Sequence, residues 1–300
     1  MFMVSPPSGL EENALEGISL ERLRSFLSVV EAGGFTRAAR GDPTRQSQLS
    51  RQVKELEAAL GQSLLERSRT GVVATETGVR LATLSRELLQ GLRQLKGAAL
   101  PWKIGAGDSL LRWLVLPALG ELQGEPTKAT FSVKALDTPR IVEALREGKL
   151  DLGVVREQAP QGLRSRKIGK IEYALFVPQP LVRRYHVESA EDVLDRVPLA
   201  LQRSEEELTD PLLERTGGRM DLACETFPQA CTAVQCGGHG ALLPTLAEID
   251  LPARRVKRFD VSWLPSRALH LVWDQRRIEA REGGPGLLER MVRATSQGFP

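Results

Sequence analysis

The sequence is short of cysteine, of long apolar runs and of net charge, and each shortage narrows what the chain can be. Its three cysteines, Cys224, Cys231 and Cys236, fall within thirteen residues of a 300-residue chain. An odd, crowded set implies no disulfide framework, so a reducing, cytoplasmic setting is expected. No apolar stretch approaches the roughly 18 residues that a membrane helix needs. The opening Met1-Phe2-Met3-Val4-Ser5-Pro6-Pro7 lacks the basic region and apolar run of a signal peptide, so neither export nor anchoring is expected. Gly105-Ala106-Gly107 is too short for a phosphate loop, and neither GxxxxGK[ST] nor GxGxxG occurs. No paired-carboxylate constellation stands out. The net charge is only +3, from 41 Lys and Arg against 38 Asp and Glu, which excludes a surface basic all over. A nucleic-acid partner would therefore need a local basic face.

What is present is an ordinary composition, 41% hydrophobic and 26% charged, and a length of two domains at about 150 residues each. Collagen-like, coiled-coil-only and disordered chains are ruled out. Residues 36–54 hold Arg37, Arg40, Arg45, Arg51 and Lys54 against Asp42 alone, a surplus of four positive charges. Residues 1–18 are acidic and rich in Ser, Pro and Gly and read as a disordered extension.

From Ser19, a plausible N-cap, Leu20, Leu23, Phe26, Leu27 and Val30 recur at helical spacing, and Gly33-Gly34 is a stop. Phe35 can plug a small core, with Thr36 capping a short second helix through Ala38-Ala39. Gly41-Asp42-Pro43-Thr44 reads as a turn in which Thr44 caps a third helix from about Arg45 to Leu60. On that helix Leu49, Val53, Leu56 and Leu60 face inward, while Arg45, Gln46, Gln48, Arg51, Gln52 and Lys54 occupy the other faces. A short helix, a tight turn and a helix starting with Arg, Gln and Ser form a helix-turn-helix, whose second helix enters the major groove. Arg can pair bidentately with guanine and Gln with adenine. Leu64 to Val73 reads as two short strands turning at Thr70-Gly71, a wing with Arg67 and Arg69 placed for phosphate or the minor groove. Thr75 then caps a helix carrying Leu81, Leu84, Leu88, Leu92 and Leu95 at near-heptad spacing, which calls for a second copy as partner.

These residues resemble the DNA-binding domain and linker helix of the LysR-type transcriptional regulators over residues 19–95. The resemblance is carried by Leu20, Leu23, Phe26 and Val29, then Ala32-Gly33-Gly34-Phe35-Thr36 with Ala38-Ala39. It continues with Gln46-Ser47, Leu49-Ser50-Arg51-Gln52-Val53, Leu56-Glu57 and Leu60-Gly61, then Leu64-Leu65, Arg67, Thr75-Glu76 and Gly78. The spacing from Ala38 through Gly61 is kept without a gap. Two positions depart from the family: Asp42 stands where it usually has Leu, and Arg45 where it usually has Ser. The turn is therefore expected to lose a core contact, and the start of the reading helix is altered. The resemblance implies that Arg45, Gln46, Ser47 and Gln48 read base edges, that Arg51, Lys54, Arg67 and Arg69 hold phosphates, and that Thr36 and Ser50 complete the DNA-facing set.

From Trp102 the texture changes to alternating strand and helix: Lys103–Ala106, a helix begun by Asp108-Ser109, Thr130–Ala135, a helix Thr138–Glu147 and Asp151–Val155. This βαβαβ pattern predicts a parallel sheet with helices on both faces. Tyr173–Val177, Leu199–Leu201, Asp221–Glu225 and Ala241–Pro244 repeat the style with helices between them. Leu269–Trp273 then returns the chain to the first half, with Gly286–Thr295 as a closing helix. Two such lobes resemble the periplasmic-binding-protein-like effector domain of the same family, as do Ile104-Gly105-Ala106, Ala144 through Gly153 and Gly238 through Pro244.

The expected fold is thus a helical winged helix-turn-helix followed by two Rossmann-like α/β lobes of the type 2 periplasmic-binding-protein kind. The expected divisions are residues 1–18, 19–75, 76–100 as a linker and dimerisation helix, and 101–300. Lobe I would comprise about 101–160 and 268–300, and lobe II about 161–267. Helix N-termini at the carboxyl ends of strands favour anions, and the resemblance implies an effector cleft between the lobes with Ser109, Thr138, Thr226 and Phe227 as candidates and Gln202 and Arg203 as weaker ones, for a small molecule such as a carboxylate. The resemblance implies double-stranded DNA, a second copy or a tetramer, and RNA polymerase as partners, no cofactor and no catalytic site. Three other readings remain open. One is a cysteine enzyme using Cys224, Cys231 or Cys236 with His239 or His270. Another is a metal or redox sensor at Cys231, Cys236 and His239. The third is a solute-binding or LysR-like protein that has lost specific DNA binding.

Overall fold

The computed structural model describes residues 15–69, 71–96, 100–123, 129–203 and 206–299. The expectation of a disordered extension, up to residue 14, and of Thr70 in the wing turn lies outside the described residues. The described chain forms two compact units that divide chiefly at Leu100/Pro101. Among the described residues no helix is long and apolar enough to cross a membrane.

In the first unit, helix α1 spans Leu20–Ala32, α2 Phe35–Ala38 and α3 Pro43–Leu60. The Ser19 hydroxyl accepts the N–H of Arg22 at 3.2 Å to start α1. Gly33 and Gly61 end α1 and α3 in the left-handed region, each at φ 65, where a side chain would be strained. Phe26, Val29, Val53, Leu56 and Leu64 are almost fully buried between the helices. Leu20 departs from the expected stripe and is exposed, whereas Val29, outside that stripe, is buried.

Three expectations for this unit are corrected. Helix α2 begins at Phe35 with Gly34 as its cap, so Thr36 lies inside the helix and does not cap it. Helix α3 begins two residues earlier than expected: the carboxylate of Asp42, not Thr44, accepts the N–H groups of Thr44 at 2.9 Å and Arg45 at 3.2 Å. Pro43 sits at the first helical position, where its fixed φ suits a helix and its missing N–H costs nothing. Gln52 faces inward: it is buried, its Oε1 accepts from Ser25 Oγ, and its Nε2 donates to Glu21 Oε1 at 2.6 Å, tying α3 to α1.

Strands β1 (Leu65–Ser68) and β2 (Gly71–Ala74) form the antiparallel wing, in register from Leu65 opposite Ala74 to Ser68 opposite Gly71. Glu57 Oε1 fixes the approach to the wing by accepting from Leu64 N at 2.8 Å. Helix α4 (Glu76–Leu95) follows, and Thr75 Oγ1 accepts the N–H of Gly78 at 3.1 Å as the cap expected of it.

The second unit contains two five-stranded sheets built to one plan. In the first, β3 (Trp102–Ala106), β4 (Phe131–Ala135) and β5 (Leu152–Val155) are parallel. β12 (Arg267–Trp273) joins β5 antiparallel and β6 (Arg164–Ile171) pairs antiparallel with β12, in the order β4-β3-β5-β12-β6. In the second, β8 (Leu199–Gln202), β9 (Leu222–Cys224) and β10 (Gly240–Pro244) are parallel. β7 (Tyr173–Pro178) and β11 (Val256–Asp260) are antiparallel, in the order β11-β7-β10-β8-β9. Each sheet is therefore mixed rather than wholly parallel. The return of β12 to the first sheet is as expected from the sequence. The crossing point differs: β6 still belongs to the first lobe, so the chain enters the second lobe at Tyr173 and not near residue 161.

Helix α5 runs from Asp108–Leu110 through a π-helical segment, Leu111–Val115, into Leu116–Gln123. Leu111, Trp113, Leu114 and Val115 of this segment are all buried, so it is covered on more than one face. Helix α6 (Thr138–Arg146) packs on β3 and β5 where they carry glycine: a Cβ on Gly105 would meet Ile141 Cγ1 at 3.3 Å, and one on Gly153 would meet Ile141 Cγ2 at 2.4 Å. In the second lobe α7 is Gln179–Tyr185, α8 Ala190–Arg196, α9 Glu206–Arg215 and α10 Phe227–Gln235. Helices α11 (Gln275–Ala280) and α12 (Gly284–Gln297) close the chain.

Candidate nucleic-acid interface and interlobe cleft

The expected DNA-facing residues come together on the outer side of α2, α3 and the wing. Thr36, Arg45, Ser47, Gln48, Arg51, Lys54, Arg67 and Arg69 are exposed, and Gln46 and Ser50 are half-buried. Two contacts order the start of α3: Thr36 Oγ1 donates to Gln46 Oε1 at 3.3 Å, and Ser47 Oγ donates to the carbonyl of Pro43 at 2.9 Å. Arg51 lies 3.7 Å from Glu55, which a shorter bridge of 2.7 Å binds to Arg22, so Arg51 remains available to solvent. An exposed helix start rich in Arg and Gln, flanked by a two-stranded ribbon, has the size and chemistry of a major-groove reader with backbone contacts on either side.

The five leucines proposed for dimerisation form one stripe along α4, which the unit's own core covers only in part. Leu81 packs against the unit's own core with Ala82 and Leu89. Leu84 (63%), Leu88 (47%) and Leu95 (86%) are exposed, with Leu92 between them half-buried. An exposed leucine line of this kind marks an interaction surface.

Within the second unit, Ser109, Thr138, Gln202, Thr226 and Phe227 all line one cleft of about 490 Å3, although they span more than a hundred residues of sequence. The reason is topological. Gly107–Ser109 follow β3, Leu136–Thr138 follow β4 and Arg156 follows β5; Gln202 ends β8, and Glu225–Phe227 follow β9. The cleft thus sits at the carboxyl ends of the parallel strands of both lobes, where helix N-termini point their free N–H groups. Its floor is apolar, with Phe227 and Tyr173 buried and their ring centroids 6.0 Å apart. Buried Gln202 is held by its Nε2 donating to the carbonyl of Glu225 at 3.3 Å.

The hydroxyls at the cleft differ in their commitments. Thr226 caps α10, its oxygen accepting the N–H of Gln229 at 3.3 Å. Helix α6 is capped by Asp137, whose carboxylate accepts the N–H of Arg140 at 3.0 Å, and α5 by the backbone of Gly107. The hydroxyls of Ser109 and Thr138 make no hydrogen bond among the described residues. Arg140 and Arg156 add positive charge and Asp108, Asp137 and Glu225 negative charge. Arg203 is exposed and does not line the cleft.

Burial sets the cysteines and histidines apart. Cys224 and Cys231 are buried and Cys236 is exposed. Burial, with Asp250 adding to it, pushes the Cys231 thiol up to about 11, away from the thiolate that a nucleophile or metal ligand must be. His270 is buried on β12, where desolvation and then Lys167 lower its pKa. Among the described residues no group of three His, Cys, Asp or Glu side chains could hold a metal ion.

A winged helix-turn-helix followed by a two-lobed α/β unit with an interlobe cleft defines the architecture of a ligand-responsive DNA-binding regulator. Residues 20–79 match the family described as bacterial regulatory helix-turn-helix protein, lysR family, and residues 97–281 match the LysR substrate binding domain. This chain belongs to the LysR family of transcriptional regulators. It is 32% identical over 243 residues to a probable hydrogen peroxide-inducible genes activator of Mycobacterium leprae, covering 75% of this chain and 77% of that protein. A full-length OxyR variant from Pseudomonas aeruginosa has a similar fold, with a TM-score of 0.64 at 21% identity, covering 93% of this chain and 94% of that one. So has full-length LysG from Corynebacterium glutamicum with bound effector Arg, with a TM-score of 0.63 at 22% identity, covering 94% and 98%.

Proposed function

We propose that this regulator is cytoplasmic, acts as a dimer or tetramer paired through α4, and is controlled by a small carboxylate bound in the interlobe cleft. Residues 19–75 would form the DNA-binding domain, 76–100 the linker and 101–300 the effector domain, with RNA polymerase a further partner at the promoter and no catalytic step assigned to the chain. The carrying observation is the convergence of Ser109, Thr138, Gln202, Thr226 and Phe227 on one cleft, with two uncommitted hydroxyls on the lobe I side. Hydroxyls at helix starts, together with Arg140 and Arg156, suit an anion, and the apolar floor suits a short carbon body. LysG supports the reading, since its effector arginine carries a carboxylate. For α4, the exposed Leu84, Leu88 and Leu95 supply a face for a second copy. On DNA, Arg45, Gln46, Ser47 and Gln48 would meet base edges, while Arg51, Lys54, Arg67 and Arg69 hold phosphates and Thr36 and Ser50 flank them. Ligand in the cleft would bias the lobe or subunit arrangement and so the way paired heads meet their half-sites.

Thermal unfolding against a panel of small carboxylates tests the cleft. A ligand at about 100 times its Kd stabilises by about 2.7 kcal/mol. The double variant Ser109→Ala, Thr138→Val should bind the same compound at least ~10-fold more weakly, since hydrogen bonds to charged groups are worth about 1.5–3 kcal/mol each. Equal shifts in the wild type and the variant, or no shift with any carboxylate, would remove the proposal.

A further inference from the structure

We infer that Thr36 is a positioning residue for base recognition: its hydroxyl turns the Gln46 side chain so that Gln46 meets the major groove as a hydrogen-bond donor, which selects guanine. The inference rests on α3 being the base-reading helix. Thr36 stands on α2 and Gln46 in the second turn of α3, and the hydroxyl of the first donates to Oε1 of the second at 3.3 Å. The backbone holds the two partners in place. The carbonyl of Thr36 accepts the N–H of Gly41 at 3.1 Å, and Arg40 at φ 55 and Gly41 at φ 82 make a tight left-handed turn after α2. Asp42 then caps α3, and its carbonyl accepts the N–H of Gln46 at 2.9 Å.

A glutamine amide has one acceptor oxygen and two N–H donors. Bidentate pairing with adenine presents oxygen to N6 and nitrogen to N7 at the same time. With Oε1 turned to α2, Nε2 is the atom left for the groove. Guanine offers two acceptors there, N7 and O6, adenine one acceptor beside a donor, thymine the single acceptor O4, and cytosine a donor. The neighbour Arg45 has the same polarity, since its exposed guanidinium only donates, whereas Ser47, its proton committed to the carbonyl of Pro43 at 2.9 Å, leaves an acceptor oxygen. Donors at Arg45 and Gln46 fit a guanine-containing half-site, so the adenine pairing that glutamine alone suggests gives way to guanine.

The test uses the full-length protein and duplexes selected from a randomised pool. Gel-shift affinities are then measured with each of the four bases at the position where Gln46→Ala relaxes preference. Wild type should prefer guanine to adenine and cytosine there by roughly 10-fold. Thr36→Val keeps the side chain's shape and drops the hydroxyl; the guanine preference should fall several-fold while the salt dependence of binding stays unchanged, and Thr36→Ser should retain it. An adenine preference in the wild type, or an undiminished guanine preference in Thr36→Val, overturns the inference. So does an equal loss for all four bases in Thr36→Val with intact circular dichroism, which would make Thr36 a phosphate contact. If Gln46→Ala relaxes preference at no position while Arg51→Ala still weakens binding to every sequence, the base-reading role of α3 has failed and the inference falls with it.

Discussion

Replacing Asp151 with alanine is expected to destabilise the second unit by about 3–5 kcal/mol, the cost of removing one partner from a buried ion pair. Asp151 Oδ2 lies 2.6 Å from Arg281 Nη1, with both side chains under a tenth exposed. The same oxygen accepts the backbone N–H of Lys103 at 2.8 Å, so one carboxylate links β3, the start of β5 and the end of α11. The guanidinium also lies 3.8 Å from the ring centroid of Trp102. Burial pulls Arg281 below its ordinary pKa while Asp151 works to keep it charged; without the carboxylate the buried cation loses that support. All four tryptophans, at 102, 113, 263 and 273, belong to the second unit. Their fluorescence therefore follows this unit alone, and its transition should fall by about 10 °C. Asp151→Asn keeps an acceptor for Lys103 and should lose less. A fall of under ~1 kcal/mol, the ordinary effect of a point mutation, would contradict this account of the pair.

Gly78→Val should abolish the folded winged head while sparing the tryptophan-reported transition. A Cβ at Gly78 would lie 2.0 Å from the carbonyl oxygen of Leu64 and 3.0 Å from its carbon. That carbonyl cannot step aside without loss, because it accepts the N–H of Thr75 at 3.0 Å and the N–H of Leu64 is held by Glu57 at 2.8 Å. Valine there forces apart the end of α3, the entry to β1 and the start of α4. The expected result is reduced helical circular dichroism and no DNA binding, with the fluorescence transition of the second unit unchanged. Full-strength DNA binding by the variant would show that the junction yields easily and that the wing is not set by this contact.

The parts of the fold that the sequence makes legible are those with local causes. Ser19, Gly33, Gly61 and Thr75 act through their own side chains or dihedrals, and they cap or stop helices where expected. The five cleft residues are legible together because each lies at or just beyond the carboxyl end of a parallel strand, a rule of topology rather than of composition. Where sequence and structure differ, the causes are specific. Pro43 reads as a turn residue, but beside an Asp cap it is a helix starter. The polarity of Gln52 suggests an outward side chain, though Ser25 and Glu21 satisfy it inside. Strand β6 carries Arg164, Arg166, Lys167 and Lys170, and such a basic segment has no apolar alternation to signal a strand. It is an edge strand, where charge guards against pairing with another chain. The leucines of α4 share one period, so sequence could not tell Leu81, which its own core takes, from Leu84, Leu88 and Leu95, which it leaves exposed.

The small net charge of the chain hides the basic head on which the account depends, and salt dependence is the property that exposes it. The most direct measurement is a gel-shift titration of the full-length protein on the DNA flanking its own gene, repeated across salt concentrations for wild type and for Arg51→Ala, Lys54→Ala. Wild type should bind at ~100 mM salt, and the double variant should bind every duplex more weakly, its log-log salt slope reduced by about 2 as two phosphate contacts are lost. No wild-type binding under those conditions, or a slope that the two substitutions leave unchanged, would contradict the claim that α3 seats this regulator on DNA.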